Sequence, residues 1–201
     1  MTFGVLKFLL IANIICRRFQ DLNSHLTDEL TVSKRLDVIN INEACNLLDL
    51  WSLHEQLSLA IKDLNSLYSL QLFLWISTIG FNIISRIYVF CTTILNKNFF
   101  WDLRETLLLI YFITLLAFLT ITCHITAKQA NKMSSIIFSP KYFQRSQQSS
   151  KVKLFMGHYL LKYCFNFTAA FGFFIVDIQL LLSIAGSITT YLVIIIGPNS
   201  L

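Results

Sequence analysis

Long apolar runs alternate with polar stretches along the chain. The last run, from Ile178 to Ile196, contains no charged residue. About 20 apolar residues in a helix are enough to cross the hydrocarbon core of a bilayer, which is about 30 Å thick. Two earlier runs, Leu70–Leu95 and Thr106–Ile125, are also long and apolar. The pattern therefore predicts three membrane-spanning helices.

The segments before the first span follow a different helical pattern. Residues 1–30 begin with an apolar stretch and continue with apolar positions three or four residues apart, which predicts one helix. From residue 38 an amphipathic pattern runs without a breaker into the first span, so we predict a continuous helix over residues 38–95. Its apolar stripe consists of Leu47, Trp51, His54, Leu57, Ile61, Leu64 and Tyr68.

Basic residues are divided unevenly between the two later connections. The connection 126–165 carries seven Lys and Arg residues and no acid, whereas the connection 96–105 carries two. Loops rich in Lys and Arg stay on the cytoplasmic side of a membrane. We therefore predict that residues 126–165 lie in the cytoplasm and that the C-terminus lies outside the cell.

The composition agrees with a membrane protein. Hydrophobic residues make up 55% of the chain and charged residues 13%, against about 25% charged in a typical soluble domain. The formal net charge of +5 arises from the basic connection and not from a nucleic-acid-binding face, so no nucleic acid partner is expected. The predicted fold is an all-α polytopic membrane protein with long helices that extend into a cytoplasmic bundle.

Motifs of enzymes and metal sites are absent from the sequence. It contains no pair of carboxylates on one helix face, no Ser/His/Asp set, no glycine-rich phosphate loop and no HExxH. The five cysteines are isolated from one another and have no zinc-ligand spacing. We therefore expect no catalytic residue, no metal and no cofactor.

Three polar residues in the apolar helices have more than one interpretation. For His54, packing or hydrogen bonding is favoured over a role as a ligand, because no second His or Cys lies on the same face of its helix. For Arg86, the favoured interpretation is that the side chain extends to the membrane–water interface or has a structural partner. The alternative is contact with a ligand or with a pore vestibule. Asp177 caps a helix, attracts cations or pairs with a basic residue, and pairing is favoured.

Small and hydroxyl residues interrupt the apolar surface of the last span. Such residues let a second helix approach closely or face water. From composition alone, a packed bundle helix is favoured over a helix that lines a pore. The residues concerned are Ser183, Gly186, Ser187, Thr189 and Thr190.

Residues 190–196 consist of Thr-Tyr followed by five aliphatic residues. This pattern resembles the C-terminal signature of insect gustatory receptors, in which Thr-Tyr and five aliphatic residues are followed by Gln-Phe. Positions upstream are also similar, including the stretch Phe167–Ala170, the residues 172–174 and Asp177. His54 and Asn65 resemble the family pattern before the fifth helix. The signature breaks at residues 197–198, where Gly-Pro replaces Gln-Phe.

The resemblance implies the C-terminal half of a seven-helix receptor that acts as a ligand-gated cation channel of four subunits in the plasma membrane. Residues 1–30 would end the fourth helix, 38–95 and 106–126 would contain two full spans, and 127–165 would form a basic loop with a short helix at about Lys151–Asn166. Residues 171–196 would be the pore-lining span. The pore and gate positions would be Ser187, Tyr191, Ile194 as the gate, and Gly197, and the family-motif positions would be His54, Asn65, Asp177, Thr190 and Tyr191.

The resemblance also implies the partners. They are a small-molecule tastant, membrane lipid, and further gustatory receptors in a homo- or hetero-tetramer. A shortened chain that lacks the first helices would lack much of the ligand pocket, and Gly197 removes a polar ring at the outer pore. The alternative function is a non-conducting membrane assembly partner or a non-functional fragment.

Overall fold

The computed structural model of the chain describes residues 2–36, 41–94, 99–137 and 165–196. These residues form an all-α membrane-protein fold with one small β-hairpin. The helices are α1 (Thr2–Leu36), α2 (Ile41–Ile94), α3 (Phe99–Ile137) and α4 (Ile178–Ile196). The hairpin consists of β1 (Thr168–Ala169), a 3₁₀ turn (Ala170–Gly172) and β2 (Phe174–Ile175).

The lengths of the helices show which of them extend beyond a membrane-spanning segment. At about 1.5 Å per residue, the 54 residues of α2 reach far beyond the about 30 Å of a hydrocarbon core. The 19 residues of α4 nearly match it. Stretches long and apolar enough to cross a membrane occur in Ser52–Phe90 and Leu103–Met133, and Ile178–Tyr191 is a shorter apolar helix.

The structure corrects three predicted boundaries. α3 includes residues 99–105 and 127–137, which the sequence analysis places in loops. It continues beyond the span because Ala127, Ala130 and Met133 extend its buried stripe and no Pro or Gly interrupts it. The last helix begins at Ile178 and not at residue 171, because the hairpin precedes it. Of the predicted short helix, residues 151–164 lie outside the described residues, and the following two are not helical.

Buried side chains of α1 and α3 alternate at spacings of three and four residues. This is the a/d pattern with which helices pack side by side at small angles. In α1 the stripe is Val5, Phe8, Ala12, Ile15, Phe19, Leu22 and Leu26, and in α3 it is Leu116, Leu119, Cys123, Thr126, Ala130 and Met133. α1 therefore buries a narrow face from Val5 to Leu26, and α3 does so from Leu116 to Met133.

The chain divides into two compact units. The first contains Met1–Leu6, Tyr68–His124 and Phe167–Leu201. Gly4 permits a close helix approach in this unit, since a Cβ there would lie 2.9 Å from the Trp75 ring.

The second unit contains Lys7–Leu67 and Ile125–Asn166. Its described core is formed by aromatic, aliphatic and buried polar side chains of α1, α2 and α3.

Candidate functional site

The last helix begins at a capped turn. The Oδ1 atom of Asp177 accepts a hydrogen bond from the backbone N–H of Leu180 at 2.9 Å. An Asp at this position satisfies one of the N–H groups left open at a helix N-terminus and suits the positive end of the helix dipole. Capping is thus the role of Asp177 among the described residues, and the favoured ion pair is not seen there.

Four hydroxyl groups of α4 form hydrogen bonds within the helix. Each donates to the carbonyl four residues earlier at 2.9–3.0 Å. Because their donors are satisfied in this way, α4 carries hydroxyl groups across an apolar layer without needing a partner helix. The donor–acceptor pairs are Ser183–Gln179, Ser187–Ser183, Thr189–Ala185 and Thr190–Gly186.

The predicted pore positions of α4 lie on one exposed stripe. Ser187 and Thr190 are exposed, and the side chains of Tyr191 and Ile194 are 46% and 65% exposed. Gly197 lies outside the described residues. The stripe adjoins the half-buried side of the helix, which consists of Leu181, Ile184 and Ile188.

His54 belongs to a buried polar junction of α1, α2 and α3. Its Nε2–H donates to the carbonyl of Ala130 at 3.2 Å, and the Nδ2 group of Asn23 donates to the carbonyl of Gln129 at 2.9 Å. His54 and Asn23 are only 2% and 3% exposed. These bonds satisfy the ring N–H of His54 and the amide donor of Asn23 in place of water, whereas Asn23 Oδ1 has no hydrogen-bond partner among the described residues. We call Asn23, His54, Gln129 and Ala130 the polar junction.

Packing and a second polar contact hold the His54 ring. The ring of Phe19 meets it edge-on, with the centroids 5.5 Å apart. The Ser58 hydroxyl lies 3.5 Å from Nδ1. Since the carbonyl of Ala130 can only accept, the neutral ring has its proton on Nε2. Asn65, the other motif residue of α2, is half-buried.

Burial lowers the pKa of His54 below its usual 6.5, and the hydrogen bond to Ala130 partly opposes that shift. His54 is part of the second unit. It lies at the charged beginning of Ser52–Phe90, with Glu55, Lys62 and Asp63, and before the predicted span that begins at Leu70. The folded state therefore holds the ring neutral and binds fewer protons than the unfolded state just below pH 6.5.

We expect acid to destabilise the bundle through His54. As pH falls below about 6.5, the free energy of unfolding should decrease by at most about 1.4 kcal/mol per pH unit. The reason is that the exposed ring of the unfolded chain accepts a proton more readily than the buried ring of the folded chain. Unfolding midpoints of the detergent-solubilised chain at pH 7.5 and 5.5 measure this. His54→Gln, which keeps a donor, should reduce the pH dependence, and the exposed-site control His25→Gln should retain it. Equal pH dependence in His54→Gln and the unmodified chain would contradict the assignment.

Arg86 has a structural partner in α3. Its Nη1 group donates to Oε2 of Glu105, and Nη2 of Arg104 donates to Oε1 of the same carboxylate at 2.8 Å. The Glu105 side chain is 6% exposed, whereas Arg86 and Arg104 are 29% and 58% exposed. A buried carboxylate is tolerated when it is paired and hydrogen-bonded. The structural alternative for Arg86 is therefore the one that the structure supports.

The sequence analysis missed Asn23 and Glu105. Asn23 adjoins Leu22 in the heptad stripe of α1, so a polar residue beside a buried position was the available signal. Glu105 stands among several charges before the second span, and its burial depends on the pairing with Arg86. Neither pairing has a local sequence motif.

The described residues offer no metal site. No three His, Cys, Asp or Glu side chains within them lie close enough together to hold an ion. Cys16 and Cys123 are buried as free thiols.

Comparison with known families identifies the class of protein. A family model described as 7tm Chemosensory receptor matches residues 1–196. A comparison with individually curated proteins gives no match. The matched family is one of receptors and not of enzymes, and its multi-pass membrane architecture agrees with the long apolar helices described above. The chain is a membrane chemoreceptor and belongs to the 7tm chemosensory receptor family.

Proposed function

We propose that the chain is a gustatory receptor subunit of a ligand-gated cation channel in the plasma membrane, with four subunits around a central pore lined by α4. The observation that carries the proposal is the exposed stripe of α4. It presents the hydroxyl groups of Ser187 and Thr190, both satisfied within the helix, and then Tyr191 and Ile194. A stripe of this kind suits a water-filled path.

Ile194 is the proposed gate. Four copies of this side chain around an axis form a hydrophobic constriction, and such a constriction stops ions by excluding water. Its 65% exposure in the single chain leaves the side chain accessible to neighbouring subunits. A tastant bound in the outer half of the subunits would draw the α4 helices apart and let the constriction fill with water.

Subunit association is assigned to the cytoplasmic parts of the helices. Leu53, Leu59 and Leu67 of α2 are 47%, 47% and 74% exposed, although they precede the predicted span. Exposed apolar side chains outside the membrane are suited to protein contacts. The proposed orientation places the basic segment 126–165 in the cytoplasm and the C-terminus outside.

A non-conducting assembly partner is the second candidate. Gly197 and Pro198 replace the Gln-Phe of the gustatory signature, and the exposed leucines of α2 would serve such a partner equally well. The two candidates differ in conduction and agree in membrane location.

Electrical recording separates them. Cells that express the whole chain, alone or with a second gustatory receptor, are recorded under voltage clamp while a panel of small-molecule tastants is applied. We expect a tastant-dependent cation current in at least one combination that is absent without the chain. If the chain is present at the cell surface and co-assembles without any added current, the assembly-partner function replaces the channel function.

A further inference from the structure

The hairpin before α4 directs two phenylalanine rings outward. β1 and β2 pair Thr168 with Ile175 and Ala169 with Phe174. In the turn between them, Phe171 and Phe173 are 81% and 86% exposed. The residues 170–176 carry no charge. The tip of the hairpin is therefore an exposed aromatic surface.

The exposed conformation of the tip is held by an uncommon backbone. Ala170 and Phe171 have φ angles of 51° and 57°, in the left-handed region that bulky residues seldom occupy. Gly172 follows at φ 100°. The N–H of Phe171 donates to the buried hydroxyl of Ser69 at 2.7 Å. The turn is thus fixed to α2 in the form that exposes its rings.

The opposite side of the hairpin is packed. Phe167, Ala169 and Val176 are at most 1% exposed, and the ring of Phe174 lies 6.0 Å from that of Phe73. Burial of this side fixes the orientation of the hairpin, so exposure of Phe171 and Phe173 does not result from a loose segment.

The position of the hairpin relates it to a membrane boundary. Ser69, its hydrogen-bond partner, directly precedes the predicted span that starts at Leu70, and α4 starts at Ile178, shortly after the hairpin. Two helices therefore enter the membrane at the level of this turn. Aromatic rings are favoured at the boundary between lipid headgroups and acyl chains.

We propose that Phe171 and Phe173 form a lipid-interface anchor, which inserts into the leaflet on the side of the basic segment 126–165 and fixes the base of α4 there. A second copy of the chain is a poorer occupant. Two phenylalanine side chains bury about 150–250 Å² each, well below the about 800 Å² per partner of a stable protein interface, so the hairpin tip by itself would not hold a second copy. The anchor depends on the membrane spans and is independent of whether α4 conducts ions.

Photocrosslinking tests the anchor. The photoreactive amino acid p-benzoylphenylalanine replaces Phe173, and in a second variant Phe171, in the whole chain reconstituted into phosphatidylcholine–phosphatidylserine vesicles with tagged acyl chains. Phe118, 67% exposed within the second span, is the matched lipid-facing control. Leu53, 47% exposed before the first span, is the matched control outside the membrane.

The expected result is lipid labelling at positions 171 and 173 that is several-fold above position 53 and similar to position 118. Labelling as low as at position 53 would overturn the proposal. A crosslinked dimer of the chain in place of the lipid adduct would also overturn it and would assign the surface to a second copy.

Discussion

Ile194→Ala is expected to produce a standing cation current without tastant. Alanine removes most of the side chain that closes the proposed constriction, so water enters a wider throat. In the proposed tetramer the four Ile194 side chains pack against one another, and loss of these contacts would weaken the closed arrangement by more than about 1.4 kcal/mol, which corresponds to a tenfold change in an equilibrium. We therefore expect the resting current under voltage clamp to increase about tenfold or more over the unmodified chain.

Val193→Ala is the matched control for this variant. Val193 is 67% exposed and Ile194 is 65% exposed, so both substitutions remove apolar atoms from the free surface of α4. They differ in direction by about 100° around the helix. The resting current should stay low in Val193→Ala. Equal currents in the two variants, or silence of Ile194→Ala at normal surface expression, would remove Ile194 from the gate.

Glu105→Ala is expected to cause the largest loss of stability. It leaves Arg86 of α2 without the carboxylate that it contacts in α3, at a place where Glu105 is 6% exposed. Removal of one partner from a buried ion pair costs about 3–5 kcal/mol, and because Arg86 is 29% exposed we expect about 3 kcal/mol. The midpoint of thermal unfolding in detergent should fall by roughly 2–4 °C per kcal/mol for a chain of this size.

Two further variants make this prediction specific to the Arg86 pair. Arg104→Ala removes a partner of Glu105 that is 58% exposed, and such a pair is worth less than about 1 kcal/mol. The double variant Arg86→Met/Glu105→Leu replaces both charges by apolar groups and should recover much of the loss. A larger shift in Arg104→Ala than in Glu105→Ala would contradict the pairing as the main contribution.

Apolar run length predicted the existence of the long helices, because crossing a bilayer requires a minimum number of apolar residues. It could not give the end of α3. Residues 127–137 include Lys128 and Lys132, and their polar appearance concealed the buried Ala130 and Met133. The helix continues because a narrow buried face is enough to hold it against its neighbours.

The sequence pattern did not predict the hairpin before α4. Phe167 to Val176 is apolar and resembles the start of a membrane helix, and only Gly172 indicates a turn. The left-handed Ala170 and Phe171 depend on the tertiary hydrogen bond to Ser69, which the local sequence does not encode. Asp177 had a local signal, since an Asp before an apolar run is an ordinary helix cap, but the sequence analysis favoured an ion pair instead.

For the buried polar residues, the sequence predicted the type of interaction but not the partner. His54 was expected to pack or form a hydrogen bond because its face held no second ligand, and its bond to Ala130 confirms that interpretation. The partners themselves, Ala130 for His54 and Glu105 for Arg86, are far away in the chain. Their identity requires the relative register of α2 and α3, which periodicity within one helix does not supply.

The most direct test of a pore lined by α4 compares two adjacent threonines. Thr189 and Thr190 are both exposed, both donate to the carbonyl four residues earlier, and they point about 100° apart. A charged, membrane-impermeant thiol reagent is applied to channels with Thr190→Cys or Thr189→Cys, with the unmodified chain as the baseline for native cysteines. The pore assignment predicts that the reagent reduces the current through Thr190→Cys and leaves that through Thr189→Cys unchanged. Equal effects, or block of Thr189→Cys alone, would contradict it.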